Sequence, residues 1–338
     1  MSFLWYPSPK EKPIASLLGM GGGIGSNLIT SSGGRYGPTP VQLGTIPDSR
    51  ARYILSIPPN STGVIYAIGS STGVNPETYL YKSTDWGATW GSASSQIQGD
   101  GSSYGFHLLA TSDTTVIVQN RGDFFRTTNS GSSFTAILET SGGQNNFFNI
   151  SWDGGSYGMC GGYSRHAYTT DGWATASENS NQMGISMASA AIGTNKFLKS
   201  GLGSSGSPSK AYHSNADQST NSEVIAATGS ADTFAAGNLS NGLNCVVHTG
   251  GSSKLWYATY PGTTYTDVSI TYKTNNSPTV TDNGTIVWPT LSNGIYKYIP
   301  GGSEEAVSGS HNNNPLTSIG NEVYYAIAGT GVVYAFDA

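Results

Sequence analysis

The sequence predicts an all-β fold: a seven-bladed β-propeller of four-stranded antiparallel blades, with the last blade closed by a strand from the N-terminal side. Three observations carry that expectation. Nearly half of the 338 residues are Gly, Ser, Thr or Asn, including 46 Gly, and these are poor helix-interior residues but good turn formers. The chain nevertheless holds 20 Tyr, 10 Phe and 7 Trp against only 15 basic and 20 acidic residues, which excludes the charge-rich, aromatic-poor composition of a disordered chain. The third observation is a repeat. Tyr79-Leu-Tyr-Lys-Ser83-Thr-Asp85-Trp-Gly87-Ala-Thr89-Trp90 returns as Asp123-Phe-Phe-Arg-Thr127-Thr-Asn129-Ser-Gly131-Ser-Ser133-Phe134 and, more loosely, as Arg165-His-Ala-Tyr-Thr169-Thr-Asp171-Gly-Trp-Ala-Thr175.

Degenerate copies follow at similar intervals: Lys210-Ala-Tyr-His-Ser214, Lys254-Leu-Trp-Tyr-Ala258, Gly294-Ile-Tyr-Lys-Tyr298 and Gly331-Val-Val-Tyr-Ala335. Each unit reads as four short strands. In the second these are Phe106 to Thr111, Thr115 to Asn120, Phe124 to Thr128 and Ser133 to Leu138, with turn residues between them. Four strands every ~40 to 45 residues is the signature of a propeller blade. The blades are expected to start near residues 53, 105, 147, 184, 232, 278 and 315. The final copy stops one strand short at Ala338, and a ring must close or expose an edge. The alternating segment Pro40 to Ile46 is expected to complete it as the outer strand. The propeller domain is thus 39–338, preceded by an arm over 1–38.

The repeated Ser-x-Asp-x-Gly-x-Thr-Trp has a physical logic. Its carboxylate accepts backbone N–H groups across a tight turn, Gly supplies a positive φ, and the aromatic residue fills the gap between neighbouring sheets. Ser83, Asp85, Gly87, Thr89 and Trp90, with the variant Thr127, Asn129, Gly131 and Phe134 and the looser Asp171, are therefore read as structural. The motif resembles the Asp-box, or BNR repeat, of sialidase-like β-propellers. That resemblance implies an arginine triad, a Tyr–Glu nucleophile pair and an acid Asp for a sialidase. This chain has no Arg after Arg165 and lacks the Arg-Ile-Pro signature near its first blade; Arg50 and Arg52 read as structural. The sialidase chemistry does not carry over, and no catalytic residue is assigned.

Charge and spacing narrow the remaining classes. Net charge is −5 and no basic stripe exists, which disfavours nucleic acid. No apolar run approaches the ~20 residues of a membrane helix, and the N-terminus lacks a signal-peptide pattern, so a soluble chain without membrane insertion is expected. Five scattered His show no metal-ligand spacing, and neither a metal nor a cofactor is expected. Cys160 and Cys245 fall on second strands of different blades and read as buried small hydrophobes. Arg121-Gly122-Asp123 spells an adhesive tripeptide that a polar turn also produces.

On the face formed by loops joining strand two to three and strand four to the next blade, Arg121, Asp123, Arg165, His166 and Glu178 are the ligand-binding candidates. Arg121 and Arg165 occupy equivalent loops of adjacent blades, where they face one ligand or are simply solvated charges. The arm offers Phe3, Trp5 and Tyr6, with Leu17 and Leu18, as anchors for a partner's pocket. An uncharged Gly/Ser/Thr/Asn-rich β-protein with such an arm also resembles, in organisation, the virion proteins of tailed bacteriophages. The expected function is a non-enzymatic structural or adhesion module, docked by its arm to other virion or assembly proteins, that binds host-surface glycan. The alternatives are a glycan hydrolase or lyase on the same propeller, and a cellular lectin or assembly factor.

Overall fold

The structure is a computed structural model that describes residues 35–71, 77–97, 106–120, 122–140, 147–162, 165–180, 185–202, 210–226, 233–248, 253–272, 274, 276–290, 292–309, 311 and 314–338. All regular structure there is β. Blade 7 takes β1 (Val41–Thr45) from the N-terminal side. Blade 1 holds β2 (Arg52–Ser56), β3 (Ile65–Ser70) and β4 (Thr78–Ser83), and blade 2 holds β5 (Phe106–Ala110), β6 (Val116–Asn120), β7 (Asp123–Thr127) and β8 (Thr135–Leu138). Blade 3 comprises β9 (Phe147–Trp152), β10 (Gly158–Gly162), β11 (Arg165–Thr169) and β12 (Ser177–Ser180). Blade 4 comprises β13 (Ile185–Gly193), β14 (Lys196–Leu202), β15 (Lys210–Ser214) and β16 (Asn221–Ala226). Blade 5 has β17 (Thr233–Gly237), β18 (Leu243–His248), β19 (Lys254–Thr259) and β20 (Thr266–Ser269). Blade 6 has β21 (Thr279–Val280), β22 (Ile286–Pro289), β23 (Ile295–Tyr298) and β24 (Glu304–Ser308), and blade 7 adds β25 (Thr317–Ile319), β26 (Glu322–Ala326) and β27 (Val332–Asp337).

Every sheet is an antiparallel meander in sequence order, and the expected closure is present: blade 7 runs β25-β26-β27-β1, with β1 on the outside. Blade 1 has three regular strands. Its outer edge is filled by residues 91–97, whose amides at Gly91, Ser94 and Ile97 donate to the carbonyls of Lys82, Leu80 and Thr78.

The second strand of each blade is buried on both sides, and its alternate side chains enter opposite seams. Ile65 and Ala67 of β3 pack on blade 7, while Tyr66 and Ile68 pack on blade 2. Tyr324 and Ala326 of β26 pack on blade 1, and Val323 and Tyr325 on blade 6. The same alternation places an apolar cluster in each of the other seams. A cluster between blades 7 and 1 equivalent to the rest is what makes this a closed ring. Cys160 and Cys245 are buried thiols facing blades 2 and 6 respectively, and burial pushes Cys245 up to about 12.

Candidate functional site

The connections between strands one and two and between strands three and four share one face of the ring, here the turn face. On blades 1 to 3 the repeated motif forms the same hydrogen-bonded turn. Ser83 Oγ donates to Asp85 Oδ1 (2.8 Å) and accepts from Gly87 N (2.8 Å), while Asp85 accepts from Thr89 N (2.8 Å) and Thr89 Oγ1 (2.6 Å). In blade 2, Thr127 and Asn129 make the corresponding bonds to Gly131 N (2.9 Å) and Ser133 N (3.0 Å). In blade 3, Thr169 and Asp171 hold Trp173 N (3.0 Å) and Thr175 N (3.0 Å). Burial opposes the charge on Asp85 and Asp171, but these hydrogen bonds outweigh it and hold both carboxyls below the ordinary value.

Each turn needs two consecutive left-handed residues: Trp86 and Gly87, Ser130 and Gly131, Gly172 and Trp173. Blade 3 thus reverses the order of glycine and bulky residue, and the displaced Trp173 is fully buried and stacked on Phe124 at 5.7 Å between blades 2 and 3. Trp90 and Phe134 pack in the seams before their blades, 7/1 and 1/2. The aromatic residues of the motif are interior packing groups.

The candidate ligand residues are not brought together on one open surface. Arg121 lies outside the described residues. Asp123 is buried and accepts from Thr140 N at 2.9 Å. Arg165 pairs with Glu178, a separation of 13 residues that recurs in Lys210–Glu223 and Lys254–Asp267 of the next two blades. That pair is therefore a cross-strand feature of blades 3 to 5. His166 is fully buried in the 3/4 seam, where Nε2 meets the Ala216 carbonyl at 2.6 Å and Nδ1 meets the Gln218 side chain. Gln218 Oε1 also accepts from the fully buried Lys199. Burial lowers His166 to about 4 and Lys199 to about 7, a network for which composition gave no signal.

Two features of the turn face stand out instead. At the 7/1 seam, Arg35 Nε donates to Glu322 Oε1 (2.6 Å), a second guanidinium nitrogen donates to Glu322 Oε2 and to Tyr324 Oη (2.5 Å), and the guanidinium lies 3.4 Å from the Trp86 ring centre. Asp337 accepts from Tyr36 N (3.0 Å) and Gly37 N (2.5 Å). Residues 35–37, read from sequence as part of the arm, thus form a clasp on blade 7. Arg35 is the lone cation in a glycine-rich stretch.

The second feature is a cleft of about 560 Å³ between blades 5 and 6, lined by Asn241, Leu243, Tyr257, Asp282, Ile299 and Pro300 among others. Its walls are tied across the seam. Asn238 and Ser240 donate to Asp282 Oδ1 (2.9 and 2.7 Å), and Asn241 donates to the Thr281 carbonyl (2.9 Å). The same turn continues into blade 7, because Asn283 N donates to Asn321 Oδ1 (2.8 Å) and its side chain to the Ala338 carbonyl (2.7 Å).

Among the described residues, no group of His, Cys, Asp and Glu is arranged to hold a metal ion, and no helix is long and apolar enough to cross a membrane. A scan against protein-family models finds no match, and a search of curated proteins finds no similar chain. Solved structures do resemble it. YCF48 bound to D1 peptide is 14% identical with a TM-score of 0.63, covering 90% of this chain and 98% of that one. YCF48 from Cyanidioschyzon merolae is 12% identical with a TM-score of 0.58, covering 88% and 98%. A chain of a nidogen/laminin complex is 14% identical with a TM-score of 0.51, covering 69% and 89%. At such identities the similarity speaks for the fold alone, and the fold is a seven-bladed β-propeller.

Proposed function

We propose that this is a non-enzymatic, protein-binding propeller attached to a larger assembly by residues 1–34. The observation that carries the reading is the closure. β1 and the Arg35–Gly37 clasp complete the last blade, so the ring closes with residues from Arg35 onward. Phe3, Trp5, Tyr6, Leu17 and Leu18, which lie outside the described residues, are then available as partner anchors. The similar YCF48 and nidogen structures were solved with a peptide and a protein partner, which supports the class of function by analogy. Asp123 and Glu178, the carboxylates singled out for the hydrolase alternative, hold Thr140 and Arg165.

The finer reading is that the assembly is a phage virion and that the ring meets host-surface glycan, in keeping with the uncharged, turn-rich composition. Removing residues 1–34 tests attachment: the truncated ring should remain folded and be missing from purified particles. Recovery of the truncated protein in particles at the full-length level would overturn the docking role, and soluble oligosaccharide released from host polysaccharide by the intact chain would overturn the non-enzymatic one.

A further inference from the structure

Leu239 and Ile299 are the exposed large hydrophobic residues among the described ones, at 45% and 50% exposure. Ile299 lines the blade 5/6 cleft, and Leu239 lies in the turn that borders it. Leu239 sits in the turn whose Asn238, Ser240 and Asn241 are bonded to blade 6, and Ile299 lines the cleft itself with Leu243, Tyr257 and Pro300. Isolated exposed apolar residues need no explanation, whereas two on the rim of one preformed cleft mark a place where another chain segment sits. The lining carries one charge, that of Asp282, and no cation. The occupant should therefore present bulky apolar side chains with a cation close behind.

The chain contains such a segment in Phe3-Leu-Trp5-Tyr6, followed by Lys10 and Lys12 on either side of Glu11. The position of the clasp brings it within reach. Arg35 is bonded to Glu322, the neighbouring Asn321 is bonded to Asn283, and Asn283 lines the cleft, so the chain enters the ring two blades from the site. Residues 7–34 span up to roughly 90 Å when extended and roughly 30 Å as a flexible coil. A tether of that length gives the chain's own head an effective concentration near millimolar, ahead of any second copy in dilute solution.

We infer that the blade 5/6 cleft is the seat of the chain's own aromatic head, Phe3 to Tyr6, held there until a partner offers a better pocket. This deepens the proposed role of residues 1–34 and rests on reading them as a binding element. Full-length protein carrying Phe3→Ser, Trp5→Ser and Tyr6→Ser leaves the cleft open, and a fluorescently labelled peptide of residues 1–12 is the probe.

The open variant should bind the peptide at one site. Wild-type chain, its cleft already filled, should bind at least about tenfold more weakly, and adding Ile299→Asp to the open variant should remove binding by a similar factor. Ile299 is exposed, so circular dichroism should show that this substitution leaves the ring folded. Failure of the open variant to bind, equal binding by wild type and open variant, or retention of binding after Ile299→Asp would each overturn the inference. The two readings fail separately. Peptide binding as described, together with particle incorporation of protein lacking residues 1–34, would sink only the partner role.

Discussion

Blades 1 to 3 and blades 5 to 7 hold the same face of the ring by different means. In the first group the Asp or Asn of each motif closes its own turn: among the described residues Asp85 bonds within Ser83 to Thr89, and Asp171 within Thr169 to Thr175, while Ser130 of the second turn also accepts from Tyr66 and Lys82 of blade 1. In the second group the polar side chains reach across seams, from Asn238 and Asn241 to blade 6 and from Asn283 to blade 7. A self-contained turn stabilises one blade and repeats in sequence. A cross-seam turn fixes neighbouring blades to each other and builds the wall of a cleft. Local bonding therefore yields a recognisable motif, and non-local bonding yields a site.

The first way to break this contrast is at the third turn. A Cβ at Gly158 would lie 2.2 Å from Trp173 Nε1 and 2.9 Å from the Ser151 carbonyl. Gly158→Ala should displace Trp173 and destabilise the protein by more than about 3 kcal/mol in denaturant titration. Next in size, Asp85→Ala removes the acceptor for Thr89 and should lose about 2 kcal/mol, whereas Asp85→Asn should lose less than about 1, because Asn129 closes the second turn in the same way.

On the other side of the comparison, Asp282→Ala should lose about 1 kcal/mol. Combined with Asn238→Ala it should be clearly non-additive, since the two side chains share a bond, while Asp85→Ala and Asp171→Ala should add. Additivity at Asn238 and Asp282 would contradict the cross-seam account.

A pH dependence is also expected. His166 has a folded value of about 4 against an ordinary 6.5, so the unfolded chain takes up the proton first and stability falls as pH drops from 6.5 towards 4. Asp85 and Asp171 have lowered folded values. Their contribution is fully present above the ordinary carboxylate value and is lost as pH falls below it through the folded values. Thermal melts should show two successive losses on acidification, and Asp85→Asn with Asp171→Asn should reduce only the more acidic one.

The same distinction decides how much was legible in the sequence. Ser83 to Trp90 announced its turn because the side-chain bonds of Ser83 and Asp85 lie within eight residues, and the period of that turn gave the blades and the closing strand. The clasp was not legible, because Arg35 and Glu322 are 287 positions apart and neither has a local pattern. The cleft was equally hidden, since Asn241 and Asp282 belong to different repeats whose turns differ. Arg165 and Glu178 were read as single loop charges, and the structure joins them in an ion pair whose 13-residue spacing recurs at Lys210 and Lys254 as a strand-to-strand pair. His166 shares its face of β11 with Tyr168, on which its ring stacks, and that two-residue spacing was the available sign that it points inward.

We propose that the ring closes with residues from Arg35 onward and that residues 1–34 serve attachment. The most direct measurement compares the melting and particle incorporation of protein lacking residues 1–34 with those of the full chain. A cooperative melt within about 4 °C of the full-length value, together with absence from particles, is the predicted result. Incorporation at the full-length level, or loss of the cooperative melt, would contradict it.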